Sequence, residues 1–259
     1  MNEQELINYY NKFNEDKRLN SRHGQVEFIT TMHYIHEFLK DKKEAKILEV
    51  GAGCGRYSIA LANESYDVTA LELVKHNLRV IEKKSDKVHA ILGNAIDLSR
   101  FNEETFDMVL MLGPMYHLIS KDEKLKALDE AKRVLKKDGI IMVAYCMNEY
   151  SVLTYGFKEQ HIKECLKNNM LSPDYHCLSR SHDLYSVVRL EDINELNHLV
   201  SLERIKLITP DGPANYMRKI LNQMDDETFN EFLSYHFSTC ERQDLIGAAA
   251  HTLDILKKK

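Results

Sequence analysis

The sequence predicts an α/β fold built on a doubly wound, mostly parallel sheet. Short apolar runs rich in β-branched residues alternate with stretches of helical composition between Lys46 and Cys146. The run from Phe106 to Gly113 is almost continuously apolar, as expected of a central parallel strand that is covered on both faces. A regular alternation of strands and helices is typical of open α/β sheets with helices on both faces.

The predicted elements follow one another regularly along the chain. Two amphipathic helices over residues 1–20 and 25–40 precede the first strand. Strands are predicted over residues 47–50, 67–72, 88–97 (including a polar turn), 106–113 and 140–146. Helices are predicted directly after the first strand, over 75–84 and over 122–137. Asp138-Gly139 is expected to end the helix over 122–137. Beyond these, helices are predicted over 150–171, 190–200 and 211–247, and strands over 184–188, 201–209 and 251–256.

Three glycines at alternate positions follow the first strand. Gly51, Gly53 and Gly55 predict a tight turn that lets the backbone approach a ligand and directs free N–H groups of the next helix at it. A dinucleotide-binding fingerprint would require a glycine at position 56, which is Arg56. The pattern favours a different nucleotide-type ligand, and a glycine turn without a ligand is the alternative.

An acidic residue ends the second predicted strand. Glu72 lies 21 positions after Gly51, where a carboxylate at the carboxyl end of a strand can accept both hydroxyl hydrogens of a ribose. The alternative is a surface glutamate at a strand end. The joint spacing of the glycines and the acid favours a nucleoside-binding site.

The sequence E-V-G-A-G-C-G, which begins at Glu49, resembles motif I of the class I S-adenosylmethionine-dependent methyltransferases. The passage A-K-R-V-L-K-K-D-G-I-I-M-V resembles a helix-to-strand connection of the same family, and G-P-M-Y-H-L and E-R-Q-D-L-I-G-A-A-A-H are similar to sequences of uncharacterised bacterial small-molecule methyltransferases. The resemblance implies S-adenosylmethionine as the cofactor. It also implies a seven-stranded Rossmann-like sheet whose last strand is antiparallel and inserted before its predecessor.

The resemblance further implies how the chain is organised. We expect residues 1–259 to form a single domain. Its expected parts are N-terminal helices over 1–45, a cofactor-binding core over 46–146, helical cap segments over 147–200 and 210–247, and the last two strands over 201–209 and 250–257. The cap segments are expected to cover the carboxyl edge of the sheet and to close the pocket on its substrate.

The cofactor-binding residues are assigned by matching the family's motifs to this sequence. A turn of the form G-N-A, at Asn94, is expected to hold the adenine, although Asn94 could also be a simple turn former. Tyr10 and Arg22 of the N-terminal helices could contact the ligand, or these helices could pack as a pair with solvated polar tips. The full set is Tyr10, Arg22, Glu49, Gly51, Ala52, Gly53, Gly55, Arg56, Glu72, Leu73, Asn94, Ala95, Leu112 and Gly113.

Two residues just after the fourth predicted strand are the catalytic candidates. His117 could deprotonate a nucleophile, and Tyr116 could line the cofactor or the substrate. The alternative is that both begin a helix and pack structurally. Gly113-Pro114 stands where enzymes that methylate base amines carry N-P-P-Y or D-P-P-Y, which disfavours a nucleic-acid acceptor.

No metal site is expected from the histidines and cysteines. His176-Cys177 with His182, and His236 with Cys240, offer ligand types, but neither set contains a second well-spaced pair. Five cysteines without a C-x-x-C pair are typical of reduced thiols in a cytosolic protein.

Charge and composition restrict the partners. The net charge of −5 gives no support for broad nucleic-acid binding, and no apolar run approaches the roughly 18 residues of a membrane helix. No signal-peptide pattern is visible, so we expect a cytoplasmic protein of undetermined oligomeric state. The expected activity is methyl transfer to an O, N, S or C atom of a small acceptor. The alternatives are a non-catalytic S-adenosylmethionine-binding regulator and an NAD-dependent oxidoreductase.

Overall fold

An eight-stranded sheet runs through the structure, a computed structural model that describes residues 3–10 and 21–259. Its strands are β1 (Lys46–Val50), β2 (Asp67–Glu72), β3 (His89–Leu92), β4 (Phe106–Met111), β5 (Leu135–Met147), β6 (Val187–Val188), β7 (Leu202–Ile208) and β8 (His251–Lys258). Along the sheet the strands lie in the order β3, β2, β1, β4, β5, β8, β7, and the short β6 pairs with β5.

Helices cover the sheet and its carboxyl edge. They are α1 (Glu3–Tyr10), α2 (Arg22–Leu39), α3 (Arg56–Asn63), α4 (Lys75–Lys84), α5 (Lys121–Val134), α6 (Asn148–Ser151), α7 (Ile162–Lys167), α8 (Leu190–Leu199), α9 (Arg218–Leu221), α10 (Asp226–Thr239) and α11 (Gln243–Ile246). A 3-10 turn covers Pro114–Tyr116, and a π-helical segment covers Val152–Lys158. None of the helices in the described ranges is both long and apolar enough to cross a membrane.

The strand order confirms the predicted doubly wound sheet. The first five strands pair in parallel, whereas β8 lies between β5 and β7 and is antiparallel to both. The inserted antiparallel strand that the family resemblance implied is therefore present. Because β1 lies between β2 and β4, the winding of the sheet reverses at β1, and the carboxyl edge beside such a switch point is where open α/β sheets bind ligands.

The central strands are buried on both faces, which explains their continuous apolar runs. Ile47 belongs to an apolar cluster with Ile35 of α2, whereas its neighbour Leu48 belongs to a second cluster with Leu128 of α5. Successive side chains of a strand point to opposite faces, so one short strand contributes to both halves of the core.

The boundary between α5 and β5 differs from the prediction. The helix ends at Val134, not near Asp138, and Leu135 already pairs with Phe106 of β4. Leu135 is fully buried, and a Cβ on Gly139 would lie 2.6 Å from its Cδ1 atom. The Asp-Gly pair therefore marks a position inside the strand where the backbone packs closely, and it does not mark the helix end.

The two predicted cap segments contact different parts of the molecule. Within the predicted helix over 1–20, α1 covers residues 3–10, and residues 11–20 lie outside the described residues. The amide of Ser186 donates to the carbonyl of Tyr116 at 2.7 Å, which attaches one cap segment to the end of β4. Leu221 and Phe229 of the other segment pack against Val26 of α2.

Candidate active site

A cleft opens at the carboxyl ends of β1, β2 and β4. Its empty volume is about 1010 Å³, counting space that is open to solvent, and Leu6 and Tyr10 of α1 form part of its wall. Its place at the carboxyl edge of the sheet is where open α/β sheets bind ligands.

The glycine turn between β1 and α3 forms the floor of the cleft. Gly51, Gly53 and Gly55 all have positive φ angles, of 71°, 54° and 77°, which side-chain-bearing residues rarely adopt. A Cβ on Gly51 would lie 2.8 Å from the Cγ of Pro114, so the first loop and the loop after β4 touch through a glycine. The turn therefore needs glycine for both its conformation and its close contact.

The amides of the glycine turn donate within the protein. The amides of Gly51 and Ala52 both donate to the carbonyl of Leu71, at 2.8 and 3.1 Å, and the Gly55 amide donates to the carbonyl of Ala52. The Gly53 amide donates to the Glu72 carboxylate. Three of these four N–H groups therefore hold the turn against β2, and the fourth closes the turn on itself.

Glu72, the last residue of β2, lines the cleft and directly contacts the glycine turn. One carboxylate oxygen accepts from the Gly53 amide at 2.7 Å, and the other accepts from the Val74 amide at 2.8 Å. The Asn77 side chain, from the first turn of α4, donates to that second oxygen at 3.4 Å. These contacts fix the acid at the edge of the cleft.

Glu49 is a second, more deeply buried acid beneath the turn. It accepts hydrogen bonds from the backbone amide and the hydroxyl of Ser58, in the first turn of α3. Burial raises the pKa of Glu49 to about 7, although the Ser58 hydrogen bonds lower it; the nearby Glu72 carboxylate raises it further. The first N–H groups of a helix have no partner within the helix, and Glu49 accepts a hydrogen bond from one of them, that of Ser58. Glu49 therefore joins β1 to α3.

The turn after β3 supplies the third wall of the cleft. The Asn94 side-chain oxygen accepts from the Ile96 amide at 3.2 Å, and the Asn94 carbonyl accepts from the Asp97 amide at 3.1 Å. A Cβ on Gly93 would lie 2.6 Å from the Cδ1 of Leu71, so this turn packs tightly on β2. Asn94 therefore forms the turn and also lines the cleft.

His117 lies in the cleft wall between the core and α1. Its Nδ1 lies 2.9 Å from the Leu184 carbonyl, and its Nε2 lies 2.7 Å from the hydroxyl of Tyr10. Since a carbonyl can only accept, Nδ1 carries the proton. Burial lowers the pKa of His117 to about 4, against a smaller opposite effect of the Leu184 hydrogen bond, so the ring is neutral at pH 7 and Nε2 accepts from Tyr10.

The cleft gathers most of the residues that the sequence analysis singled out. They are Tyr10, Glu49, Gly51, Ala52, Gly53, Arg56, Glu72, Leu73, Asn94, Ala95, Leu112, Gly113, Tyr116 and His117.

Two predicted cofactor-binding residues are placed elsewhere. Arg22 forms an ion pair with Asp226 at 2.6 Å and lies over the ring of Phe229, because α10 packs against the start of α2. Gly55 does not line the cleft, and a Cβ there would lie 2.8 Å from Ile81 of α4. Gly55 thus serves the packing of the turn.

Several lining residues were missed by sequence reasoning. Asn77 and Leu6 line the cleft, together with Pro114 and Leu118. Asn77 lies five positions after Glu72 and one helical turn into α4, a spacing that could have indicated it. Leu6 gives no such signal, since an apolar residue on an amphipathic helix predicts only burial.

The comparison with known proteins agrees with this geometry. A family model described as a methyltransferase domain matches residues 48–143. The chain is 29% identical over 143 residues to the glycine/sarcosine N-methyltransferase of Aphanothece halophytica, and the aligned region covers 53% of this chain and 54% of that protein. The chain spans about half the length of the curated relatives that it matches.

Solved structures share the fold over most of the chain. A SAM-dependent methyltransferase from Methanosarcina mazei is similar with a TM-score of 0.58 and 15% identity, over 87% of this chain and 96% of that one. The 1,6-didemethyltoxoflavin-N1-methyltransferase of Burkholderia thailandensis, solved with 1,6-didemethyltoxoflavin and S-adenosylhomocysteine, is similar with a TM-score of 0.57 and 13% identity, over 99% and 87%. The chain therefore carries a methyltransferase domain over residues 48–143, in a fold that it shares with a solved S-adenosylmethionine-dependent methyltransferase, and the cofactor of such domains is S-adenosylmethionine.

Proposed function

We propose that this protein transfers a methyl group from S-adenosylmethionine to an O, N, S or C atom of a small molecule. The observation that carries the proposal is the cleft that the glycine turn and the Glu72 carboxylate line together. A turn of glycines with positive φ angles, beside an acid that is fixed by two backbone amides, fits an adenosyl amino acid.

Each part of the cofactor has a proposed partner. We assign Glu72 to the ribose hydroxyls, because its carboxylate ends β2 and lines the cleft. Asn94 and Ala95, with Leu73, are assigned to the adenine. Gly51, Ala52, Gly53, Leu112 and Gly113 are assigned to the amino acid end, with Glu49 supporting the turn from beneath and Arg56 lining its rim. These assignments rest on position in the cleft and on the family motifs.

The cofactor supplies an activated methyl group, and the protein's part is to align the acceptor and to exclude water. Tyr10, Tyr116 and His117 line one side of the cleft, and we propose them as its acceptor-facing wall. The lone pair of His117 already accepts from Tyr10, and its low pKa makes it a weak base. We therefore propose that His117 positions Tyr10 and the wall, and that it does not take the acceptor's proton.

The proposed acceptor is a small molecule. The relatives' names refer to glycine or sarcosine and to a didemethyltoxoflavin, which are small molecules. The overall charge of −5 gives no support for a nucleic-acid acceptor.

Calorimetry with S-adenosylmethionine, S-adenosylhomocysteine and NAD separates the enzyme from an oxidoreductase that shares the fold. We expect both adenosyl ligands to bind and NAD to bind weakly or not at all. Preferential tight binding of NAD would reject the proposal.

A transfer assay with methyl-labelled S-adenosylmethionine and a pool of small metabolites separates the enzyme from a regulator. We expect a labelled product. Tight binding of S-adenosylmethionine without a labelled product from a broad pool would favour the regulator.

A further inference from the structure

A second group of ionisable side chains lies beside the cleft and outside the motifs discussed so far. His251 opens β8 and pairs with Cys146 at the end of β5, so it lies at the same carboxyl edge of the sheet as the cleft. Its ring centroid is 6.4 Å from that of Tyr116, which lines the cleft. Glu27 of α2 and Asp211, in the loop after β7, complete a group whose nitrogen and oxygen atoms lie within 4.8 Å of one another.

Asp211 is completely buried, and both of its carboxylate oxygens accept hydrogen bonds. Oδ2 accepts from the His251 Nδ1 and from the Asn215 side chain, each at 2.7 Å. Oδ1 accepts from the His251 amide at 3.2 Å and lies 3.3 Å from the Thr209 hydroxyl. These donors occupy both oxygens of Asp211, which favours an ion pair with His251 over a metal ion at this place.

The orientation of the imidazole follows from this contact. Because Nδ1 donates to Asp211, the neutral ring has its lone pair on Nε2, the nitrogen that Asp211 does not touch. The His251 side chain keeps 21% of its surface exposed, whereas Asp211 keeps none. A partly exposed imidazole whose tautomer is fixed by a buried carboxylate is the arrangement by which enzymes hold a general base.

We propose that His251, oriented by Asp211, is the base that takes the proton from the methyl acceptor. This inference rests on the proposed methyl-transfer function, and it assigns the acceptor to the side of the cleft that Tyr116 lines, where the Tyr116 ring approaches His251. It also names a class of acceptor: small molecules whose nucleophilic atom carries a proton that must leave, such as an ammonium, a phenol or a thiol.

The step balances without any further reactant. The acceptor's proton moves to Nε2, and the electron pair of the broken bond to hydrogen stays on the acceptor atom. An electron pair on that atom forms the new bond to the methyl carbon, and the sulfonium sulfur keeps the pair of the bond that breaks. The imidazolium that results lies beside Asp211 and 4.0 Å from the Glu27 carboxylate, and it later loses its proton to water.

The charges around His251 set the pH dependence. The groups that face His251 are Glu27 of α2, Tyr116, Cys146 near the end of β5, Tyr150 of α6 and Asp211, which in turn faces His236 of α10. Burial lowers the pKa of His251, but the Asp211 carboxylate and the Cys146 side chain outweigh burial and raise this pKa well above its usual value. The ring therefore keeps its proton to higher pH than an ordinary histidine does, so the rate should rise with pH, and removing the Asp211 charge should shift that rise to lower pH.

The test compares His251→Gln and Asp211→Asn with a matched control. His89→Gln changes another histidine beside an aspartate, but His89 of β3 and Asp67 of β2 are both exposed. The acceptors are benzylamine, 4-methylphenol, benzyl mercaptan and phenylacetate, which share an aromatic ring, with methyl-labelled S-adenosylmethionine. Phenylacetate is already ionised, so its methylation needs no base.

We expect wild-type protein to methylate at least one of the three proton-bearing probes. His251→Gln should lower that rate by about 100-fold or more, whereas His89→Gln should match the wild type. Methylation of phenylacetate, where it occurs, should change little. S-adenosylhomocysteine should bind all four proteins with affinities within about twofold, because neither His251 nor Asp211 lines the cleft.

Nitrogen NMR of His251 in the S-adenosylhomocysteine complex gives a readout that needs no acceptor. We expect a proton on Nδ1 in the neutral ring and a lower pKa in Asp211→Asn. A proton on Nε2, or a pKa that does not fall in Asp211→Asn, would overturn the proposal.

The activity results separate the base from the enzyme. If His251→Gln methylates the proton-bearing probes as fast as the wild type does, the proposal that His251 is the base is rejected and the proposed function is retained. If His251→Gln loses phenylacetate methylation as much as methylation of the proton-bearing probes, His251 has a structural role and the proposal that it is the base is rejected. Methylation of phenylacetate alone by wild-type protein would also reject that proposal. No transfer to any probe by wild-type protein that binds S-adenosylhomocysteine would count against both proposals together.

Discussion

At the scale of single residues, Glu72 is the side chain on which the cofactor assignment depends. Its carboxylate joins the glycine turn to the start of α4 through the Gly53 and Val74 amides, and it faces the cleft. Sequence reasoning could identify it because the acid and the glycines are close in the chain and fixed by neighbouring strands. The same reasoning could not identify the structural role of Glu72, since the hydrogen bonds that its carboxylate accepts from the Gly53 and Val74 amides depend on how the turn folds.

The first prediction concerns this acid. Glu72→Ala should weaken S-adenosylhomocysteine binding by roughly 1.5 to 3 kcal/mol, the range for a hydrogen bond to a charged group, which is about 10- to 150-fold in Kd. Calorimetry measures the change. Glu82→Ala, at an exposed position of α4, is the control and should bind as the wild type does. An unchanged affinity in Glu72→Ala would remove the ribose assignment.

The second prediction concerns His117 and pH. Its pKa of about 4 in the folded protein lies below the usual value, so the unfolded chain takes up a proton first as the pH falls. Between pH 7 and pH 5 this group alone should lower the free energy of unfolding by about 2 kcal/mol. Urea unfolding of the wild type and of His117→Asn at both pH values measures the difference.

The wild type should lose about 2 kcal/mol more than the variant over this interval, because the other titrating groups are common to both proteins. His89→Asn, which changes an exposed histidine, should follow the wild type. Equal losses in the wild type and in His117→Asn would show that His117 is not held neutral.

At the scale of elements, the unit of strand, glycine turn and helix was the most predictable part of the chain. The bounds predicted for β2 and α4 agree with the structure, because each is a short run with clear breaks at both ends. The start of β5 was wrong, because Leu135 joins the sheet through its partner Phe106, which the local sequence of α5 does not contain. Local signals therefore located turns well and sheet pairing poorly.

The third prediction uses two glycines that differ in their surroundings. Gly51→Ala places a Cβ 2.8 Å from Pro114 at a φ of 71°, whereas Gly247 has a φ of −63° and no atom within 4 Å of an added Cβ. We expect Gly51→Ala to lower stability by at least about 1 kcal/mol from the strained backbone alone. It should also lower S-adenosylhomocysteine affinity by more than tenfold.

Thermal unfolding and calorimetry check this prediction, and Gly247→Ala is the control. The control should match the wild type in both measurements, since an alanine at this φ is unstrained. Wild-type affinity in Gly51→Ala would show that the turn does not form the floor of a binding site.

At the scale of the whole molecule, the parts of the site that sequence reasoning missed come from distant segments. Asp211 and His251 are 40 positions apart, and no spacing rule links them. The sequence analysis considered His236 with Cys240 as possible metal ligands. These two residues lie at the end of α10, and the grouping does not include Asp211 or His251. That residues 1–259 form one domain stays a prediction.

The fourth prediction tests how α2 and α10 are joined. Arg22 pairs with Asp226, whose side chain is 90% exposed, so the ion pair is open to water. Arg22→Ala should change the free energy of unfolding by less than about 1 kcal/mol, as for other surface ion pairs. Cofactor affinity should not change, and calorimetry with S-adenosylhomocysteine measures it. A tenfold weaker affinity in Arg22→Ala would indicate that Arg22 contacts the cofactor. Arg242→Ala, which removes another exposed ion pair, is the control.

The placement of β8 between β5 and β7 has a consequence for synthesis on the ribosome. β7 leaves the ribosome before β8, yet only β8 connects it to the rest of the sheet. While residues 209–250 are being translated, β7 has no neighbour with which to pair, and its unpaired edge is open to wrong partners. The nascent chain therefore passes through an interval in which strands β1 to β5 can already pair, whereas β7 cannot join the sheet until β8 has been made.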